Sequence, residues 1–276
     1  MLFKRRPVRK TVLRKKKATF KKLPVTAKAL VREIKVISAR EAQRELETKF
    51  VVAKQTATPF NSGINTGQLE MYSLIPALSA PTPAGTSAQD WERANNDITP
   101  MSCKTDWFIS CANTQRSVNL KVDLYCLQSK QSRTFPSVLT EVGLLGPSFL
   151  KSGALGQVTN YTGAIVNSVL PVSIENFTLL KHFSFHLQKN VGIPQNDSTA
   201  GNAPNDTPSY KHVTFHYKCP KQFRYTPGVA SILGDYPQGH APFWVMGYSH
   251  VDGSATDLVN TDIVASWTTQ MTFKDA

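Results

Sequence analysis

The chain has 276 residues, 41% of them hydrophobic and including 14 Phe, 8 Tyr and 4 Trp, enough for one large core with a tail or for two small domains. Its net charge of +13 sits at one end: residues 1–32 hold thirteen Lys or Arg and no acid, leaving nineteen basic and nineteen acidic residues in 33–276. A tethered polycation on a charge-balanced body argues against a ribosomal-type or groove-reading DNA binder, which spreads its charge over the folded surface. The N-terminus lacks the apolar stretch of a secretory signal, and no apolar run approaches the ~18 residues of a membrane span, so neither secretion nor a membrane partner is expected.

Residues 1–24 are too densely like-charged, and too poor in apolar surface, to offset the entropy of ordering; they are expected to stay disordered until a polyanion neutralises them. The candidate nucleic-acid-binding residues of the arm, 1–32, are Lys4, Arg5, Arg6, Arg9, Lys10, Arg14, Lys15, Lys16, Lys17, Lys21, Lys22, Lys28 and Arg32. Flexible Lys and Arg contact phosphates and release counterions without reading base sequence, which suits packaging better than regulation. If all of them engaged a single strand, the log–log salt slope could reach about −9, at ~0.7 per neutralised phosphate. KRRPVRK and RKKK also read as a nuclear-import signal, which adds a host import receptor as a partner and the host nucleus as a stage.

From Phe20 to Ile37 apolar residues recur at three and four positions, a helical stripe. Ser38 and Glu41 have capping-box spacing for a second helical stretch, with Glu45 and Lys49 as an i,i+4 pair. Residues 33–49 are therefore expected to form a helical linker, and 50–276 the body. Beyond Phe50 the chain becomes short alternating or apolar runs divided by Pro, Gly, Asn, Asp and Ser clusters. Strands are expected at 67–75, 101–111, 117–128, 176–188, 211–219, 242–251 and 262–273, with one short helix at 136–145. The loops around 76–90 and 194–209 are too polar or too Pro-rich for core, and are candidates for an outer surface. Strands without long intervening helices give an all-β sandwich or barrel, not a parallel α/β sheet.

Two of these strands have clear faces. His182, Ser184 and His186 alternate with Phe183, Phe185 and Leu187, while His212, Thr214 and His216 alternate with Val213, Phe215 and Tyr217. Side chains switch sides at each residue, so a polar face opposite a core face is the first expectation. His182 and His186 lie roughly 13 Å apart at about 3.3 Å per residue and cannot share an ion unaided. Asp252, Asp257 and Asp262 suit turns better than calcium ligation. The four cysteines, Cys103, Cys111, Cys126 and Cys219, lack Cys-x-x-Cys spacing and are expected as buried thiols. No phosphate loop, His-Glu-x-x-His or Gly-x-Ser-x-Gly occurs, so no catalytic residue, metal or cofactor is expected and the chain is not read as an enzyme.

A family resemblance covers most of residues 40–276. LETKFVV, GQLEMYSLIPALSA and ERANNDITPMSCKTDWFIS occur in order, followed by VNLKVDLYCLQSKQ, FTLLKHFSFHL and KHVTFHYKCPKQFRYTP, then APFWVMGYSH and the terminal TTQMTFKDA. Together they resemble the capsid proteins of circular Rep-encoding single-stranded DNA (CRESS-DNA) viruses, although Trp91 to Ala94 lacks the glycine that often follows the arginine there. The resemblance implies an eight-stranded antiparallel jelly roll, homo-oligomeric assembly into an icosahedral virion, and a basic arm inside the shell. Small single-stranded RNA virus shells have similar folds, and a cellular nucleic-acid-binding β protein with a basic tail is the competing class.

Overall fold

The computed structural model describes residues 35–36, 38, 48–60, 71–79, 96–112, 118–131, 133–141, 149–153, 157–190, 207–226, 235–253 and 262–275. The chain falls into two units, Met1–Glu45 and Leu46–Ala276. In the first, Lys35, Val36 and Ser38 are helical. Ser38 Oγ donates to the Lys35 carbonyl at 3.2 Å, so this residue lies within a helix and is not the cap expected to open a second one. The rest of the expected linker helix, up to residue 47, lies outside the described residues.

In the second unit most of the described residues are antiparallel strand. In chain order these are β1 (Thr48–Phe60), β2 (Tyr72–Ser73), β3 (Asp97–Cys111) and β4 (Val118–Ser129). Helix α1 (Phe135–Glu141), β5 (Leu150–Lys151), β6 (Val158–Thr159) and a 3-10 turn (Ile165–Val169) follow. Then come β7 (Phe177–Asn190), β8 (Thr207–Pro208), β9 (Tyr210–Tyr217), β10 (Phe223–Arg224), β11 (Pro242–His250) and β12 (Ile263–Asp275). The first sheet runs β1-β12-β3 with β9 and the short β10 on β3; the second runs β2-β11-β4-β7-β8. The eight principal strands thus pair from the outside inward: β1 with β12, β2 with β11, β3 with β9, β4 with β7. That nested pairing, split between two facing sheets, is a jelly roll, an all-β sandwich with two interlocked Greek keys.

Alternation sets the inner faces. On β12, Ile263, Ala265, Trp267, Met271 and Phe273 point inward; on β3, Cys103, Trp107, Ile109 and Cys111 do the same. Val118, Leu120, Val122, Leu124 and Cys126 of β4 meet them from the second sheet, with Trp244, Met246 and Tyr248 of β11. Trp107 and Trp267 are register partners whose rings stack at 4.4 Å, and Trp107 meets Trp244 of the other sheet edge-on at 5.8 Å. Cross-strand and cross-sheet aromatic pairs of this kind add about 0.5–1.5 kcal/mol each beyond the area they bury.

Three expectations are corrected. The linker does not stay helical to residue 49: Thr48 and Lys49 already pair with Lys274 and Phe273. Lys49 Nζ reaches Asp275 Oδ2 at 3.2 Å in a buried ion pair across the sheet, while Glu45, its expected i,i+4 partner, lies outside the described residues. The segment after β2 is not all surface loop, because Leu78 is fully buried and its N–H donates to the Asp235 carbonyl at 2.9 Å. Finally, Thr207–Pro208, expected as loop, adds β8 to the edge of β7.

Candidate functional site

All thirteen basic residues assigned to the arm, Lys4 through Arg32, lie outside the described residues, as do positions 80–90 and 194–206 of the expected surface loops. What the structure places is the body to which the arm is attached, and its two outer faces differ.

The outer face of the second sheet is covered over β11 and the middle of β4, whereas Ser184, His186 and Gln188 of β7 are exposed. Tyr125 and Leu127 of β4 and Phe243 and Val245 of β11 turn away from the sandwich core, into a second core with Phe135 and Val138 of α1, Phe149, Leu150, Tyr161, Val172 and Phe177. One acid lies within this layer. Asp123 is fully buried; its Oδ2 accepts the Tyr161 hydroxyl at 2.9 Å and its Oδ1 lies 2.9 Å from His182 Nε2. The His182 ring stacks on Tyr125 at 4.3 Å. Tyr161 also meets Ser249 Oγ at 3.3 Å, and that hydroxyl donates to the Ala164 carbonyl at 3.2 Å. Burial, and then the neighbouring Asp123 carboxylate, push the Tyr161 phenol up, so it remains a donor. Because both Asp123 oxygens are taken by the chain's own groups, the cluster ties β4, β7 and the crossover together instead of presenting a reactive group. Its one sequence signal is an acid inside the apolar run VDLYCL, and Tyr161 comes from the stretch between the expected helix and the strand at 176–188, for which no element is expected.

Gly247 makes that cluster possible. A Cβ there would lie 2.7 Å from the Tyr161 ring, so only glycine lets the ring lie flat on β11 with its hydroxyl at Asp123.

The outer face of the first sheet is open. His212 and Thr214 of β9 stand beside Phe108 and Asp106 of β3 on this face, as the alternation predicted. Asp106 accepts the Thr214 hydroxyl at 2.6 Å, pairs with Lys104 at 2.7 Å and lies 3.7 Å from His212 Nε2. Burial alone would raise this carboxyl, but the Lys104 ammonium and the Thr214 hydroxyl outweigh it and hold it below its ordinary 3.8. Phe108 and Tyr210 are exposed and stack at 5.2 Å.

The remaining expectations fall into place around these faces. Cys103, Cys111 and Cys126 are buried and Cys219 is half-buried, all as free thiols; burial pushes the Cys219 thiol up to about 11. Asp262 is buried at the start of β12 with its carboxylate 3.0 Å from His250 Nε2, while Asp257 lies outside the described residues. Among the described residues no three His, Cys, Asp or Glu side chains converge as metal ligands, and no helix is long and apolar enough to cross a membrane.

No protein-family model matches the chain, and no curated protein matches it. Among solved structures it is similar to a chain of Mud crab tombus-like virus, at 8% identity over 88% of this chain and 97% of that one, with a TM-score of 0.34. A chain of a KBV activated particle at acidic pH shares 12% identity over 82% of this chain and 69% of that one, at a TM-score of 0.29. Merkel cell polyomavirus VP1, in complex with GD1a oligosaccharide, shares 10% identity over 82% and 94%, at 0.20. Superpositions this loose add nothing to the fold described above.

Proposed function

We propose that the chain is the capsid subunit of a small non-enveloped icosahedral virus, which assembles with copies of itself and packages a single-stranded DNA genome through its basic N-terminal arm. The observation that carries this is the separation of charge from wall. A nested eight-strand jelly roll with no net formal charge follows a leader of thirteen cations and no acid. A closed shell of roughly sixty copies, or a multiple, would present on the order of 800 positive charges to its contents at one charge per phosphate. The role is structural and not catalytic. The virion is the destination of the chain, and the import-like motifs KRRPVRK and RKKK give it a nuclear stage in the host. DNA is favoured over RNA by the ordered strand motifs that resemble CRESS-DNA virus capsids. A single-stranded RNA virus shell is the second reading, since the charge separation serves either polymer.

Size-exclusion chromatography with electron microscopy tests assembly: uniform closed particles are expected, and a small soluble species that never assembles would refute a shell role. Digestion of extracted contents with DNase and with RNase decides the genome type. Deletion of residues 1–24 is expected to leave the β body folded by circular dichroism and to cut encapsidated nucleic acid sharply. Unchanged packaging in that deletion would remove the arm from the mechanism.

A further inference from the structure

A body with no net charge can still segregate its charges. At one end of the sandwich, where β4 runs out and β7 begins, an open groove of about 680 Å³ is lined by Lys130, Arg133, Arg224 and His240, with Gln128 and Gln222 among its polar walls and no carboxylate in its lining among the described residues. Its size falls within the ~300–1,000 Å³ of small-ligand sites, room for a nucleotide unit more than for a bare ion.

Backbone bonds across three segments hold the cations in place. The Gly239 N–H donates to the Arg133 carbonyl at 2.6 Å, and the Gln238 N–H donates to the Arg224 carbonyl at 2.7 Å. Gly239 has φ 75°, in the left-handed region that glycine enters without strain, and this lets the turn reach Arg133. The Gln238 amide donates in turn to Thr226 Oγ1 at 2.7 Å. Of the three permanent cations, Arg224 faces Asp97 at 3.3 Å. Lys130 donates to the Ile174 carbonyl, a neutral partner, and has no ion-pair partner among the described residues. Arg133 is exposed and has no ion-pair partner among the described residues. The His240 ring lies half-buried beside Phe223, with centroids 5.6 Å apart.

We infer that this groove binds the phosphodiester backbone of single-stranded nucleic acid, a contact on the folded body additional to the arm. Arg and Lys supply phosphate recognition, Arg through its planar fork of donors. A ring beside a positive groove, with amides at the rim, matches sequence-tolerant single-strand binding, in which bases stack and the backbone is held electrostatically. The inference rests on the packaging role proposed above. It places part of the genome against the shell wall, independently of the leader.

The test uses the full chain and a 5′-phosphorylated dinucleotide of thymidine and 4-thiothymidine, whose few phosphates give the arm little multivalent advantage. After near-ultraviolet irradiation, labelled peptides are mapped by mass spectrometry. Label is expected on peptides carrying Gln222 to Arg224 or Gln238 to His240, and Arg133→Gln or Lys130→Gln should reduce it about tenfold, the scale of one lost charged hydrogen bond. Arg133 is exposed, so its replacement should leave the melting temperature unchanged. Label confined to residues 1–32, or label displaced by heparin and not by excess oligothymidylate, would overturn the inference. Particles that hold no nucleic acid would instead sink the packaging role itself, whereas filled particles with an unlabelled groove would sink the groove alone.

Discussion

The two sheets of the sandwich share one core but differ on their outer faces. β11 and residues 122–127 of β4 belong to the covered part of the second sheet and are buried on both sides; of the nine residues Pro242–His250, all but His250 are buried. β12 belongs to the open sheet and alternates buried with half-buried along its whole length. The difference is visible in the sequences themselves, PFWVMGYSH against IVASWTTQMTFKD. A strand covered on both faces reads as an unbroken apolar run, and a strand with one wet face alternates. The crossover that carries α1, β5, β6 and Tyr161 is therefore structural on the covered side. The open side leaves Phe108 and Tyr210 exposed, stacked only on each other among the described residues.

Substitutions can break or sharpen this contrast. Phe243→Ala, on the covered face, should cost about 3–5 kcal/mol in denaturant titrations, the range of buried Phe truncations. Phe108→Ala, on the open face, should stay within about 0.5 kcal/mol of the parent. Equal losses at the two positions would mean that the open face is covered too. Gly247→Ala forces a methyl into the Tyr161 ring and should destabilise by about 1–3 kcal/mol. Tyr161→Phe removes one of the donors to buried Asp123 and should cost about 1–3 kcal/mol with the ring packing kept. Lowering the pH should produce the smallest effect, at the open face. The Asp106 carboxyl is held below its ordinary 3.8, so its contribution is present above about pH 4 and is lost as pH falls through the depressed value. Asp106→Asn should flatten the acid limb of the thermal-stability profile by lowering its neutral plateau toward the acid value.

Seven strand segments were legible in the sequence because each carried a period or an unbroken apolar run. Of the expected strand at 67–75, residues 67–70 lie outside the described residues, and Tyr72 and Ser73 form β2 by pairing with Trp244 and Phe243. The thirteen-residue β1 was not among the expected strands, because most of TKFVVAKQTATPF is exposed and shows no sustained alternation, and the short β5, β6, β8 and β10, two residues each, carry no period. Lys49 was assigned to a helix because its local spacing to Glu45 suggested a pair; its partner, Asp275, is 226 residues away. The same distance problem hid the Tyr161–Asp123–His182 tie, whose members come from a crossover and two strands.

The chain's sequence alone determined the all-β class, the inward faces of β7 and β9 and the confinement of surplus charge to residues 1–32, because composition and period-two alternation are local properties. Only the tertiary structure decided which strands pair, which sheet is covered, and that Lys130, Arg133 and Arg224 share one groove. Those outcomes depend on contacts between segments up to a hundred residues and more apart, and a sum of charges that cancels along the chain does not reveal where in space they fail to cancel.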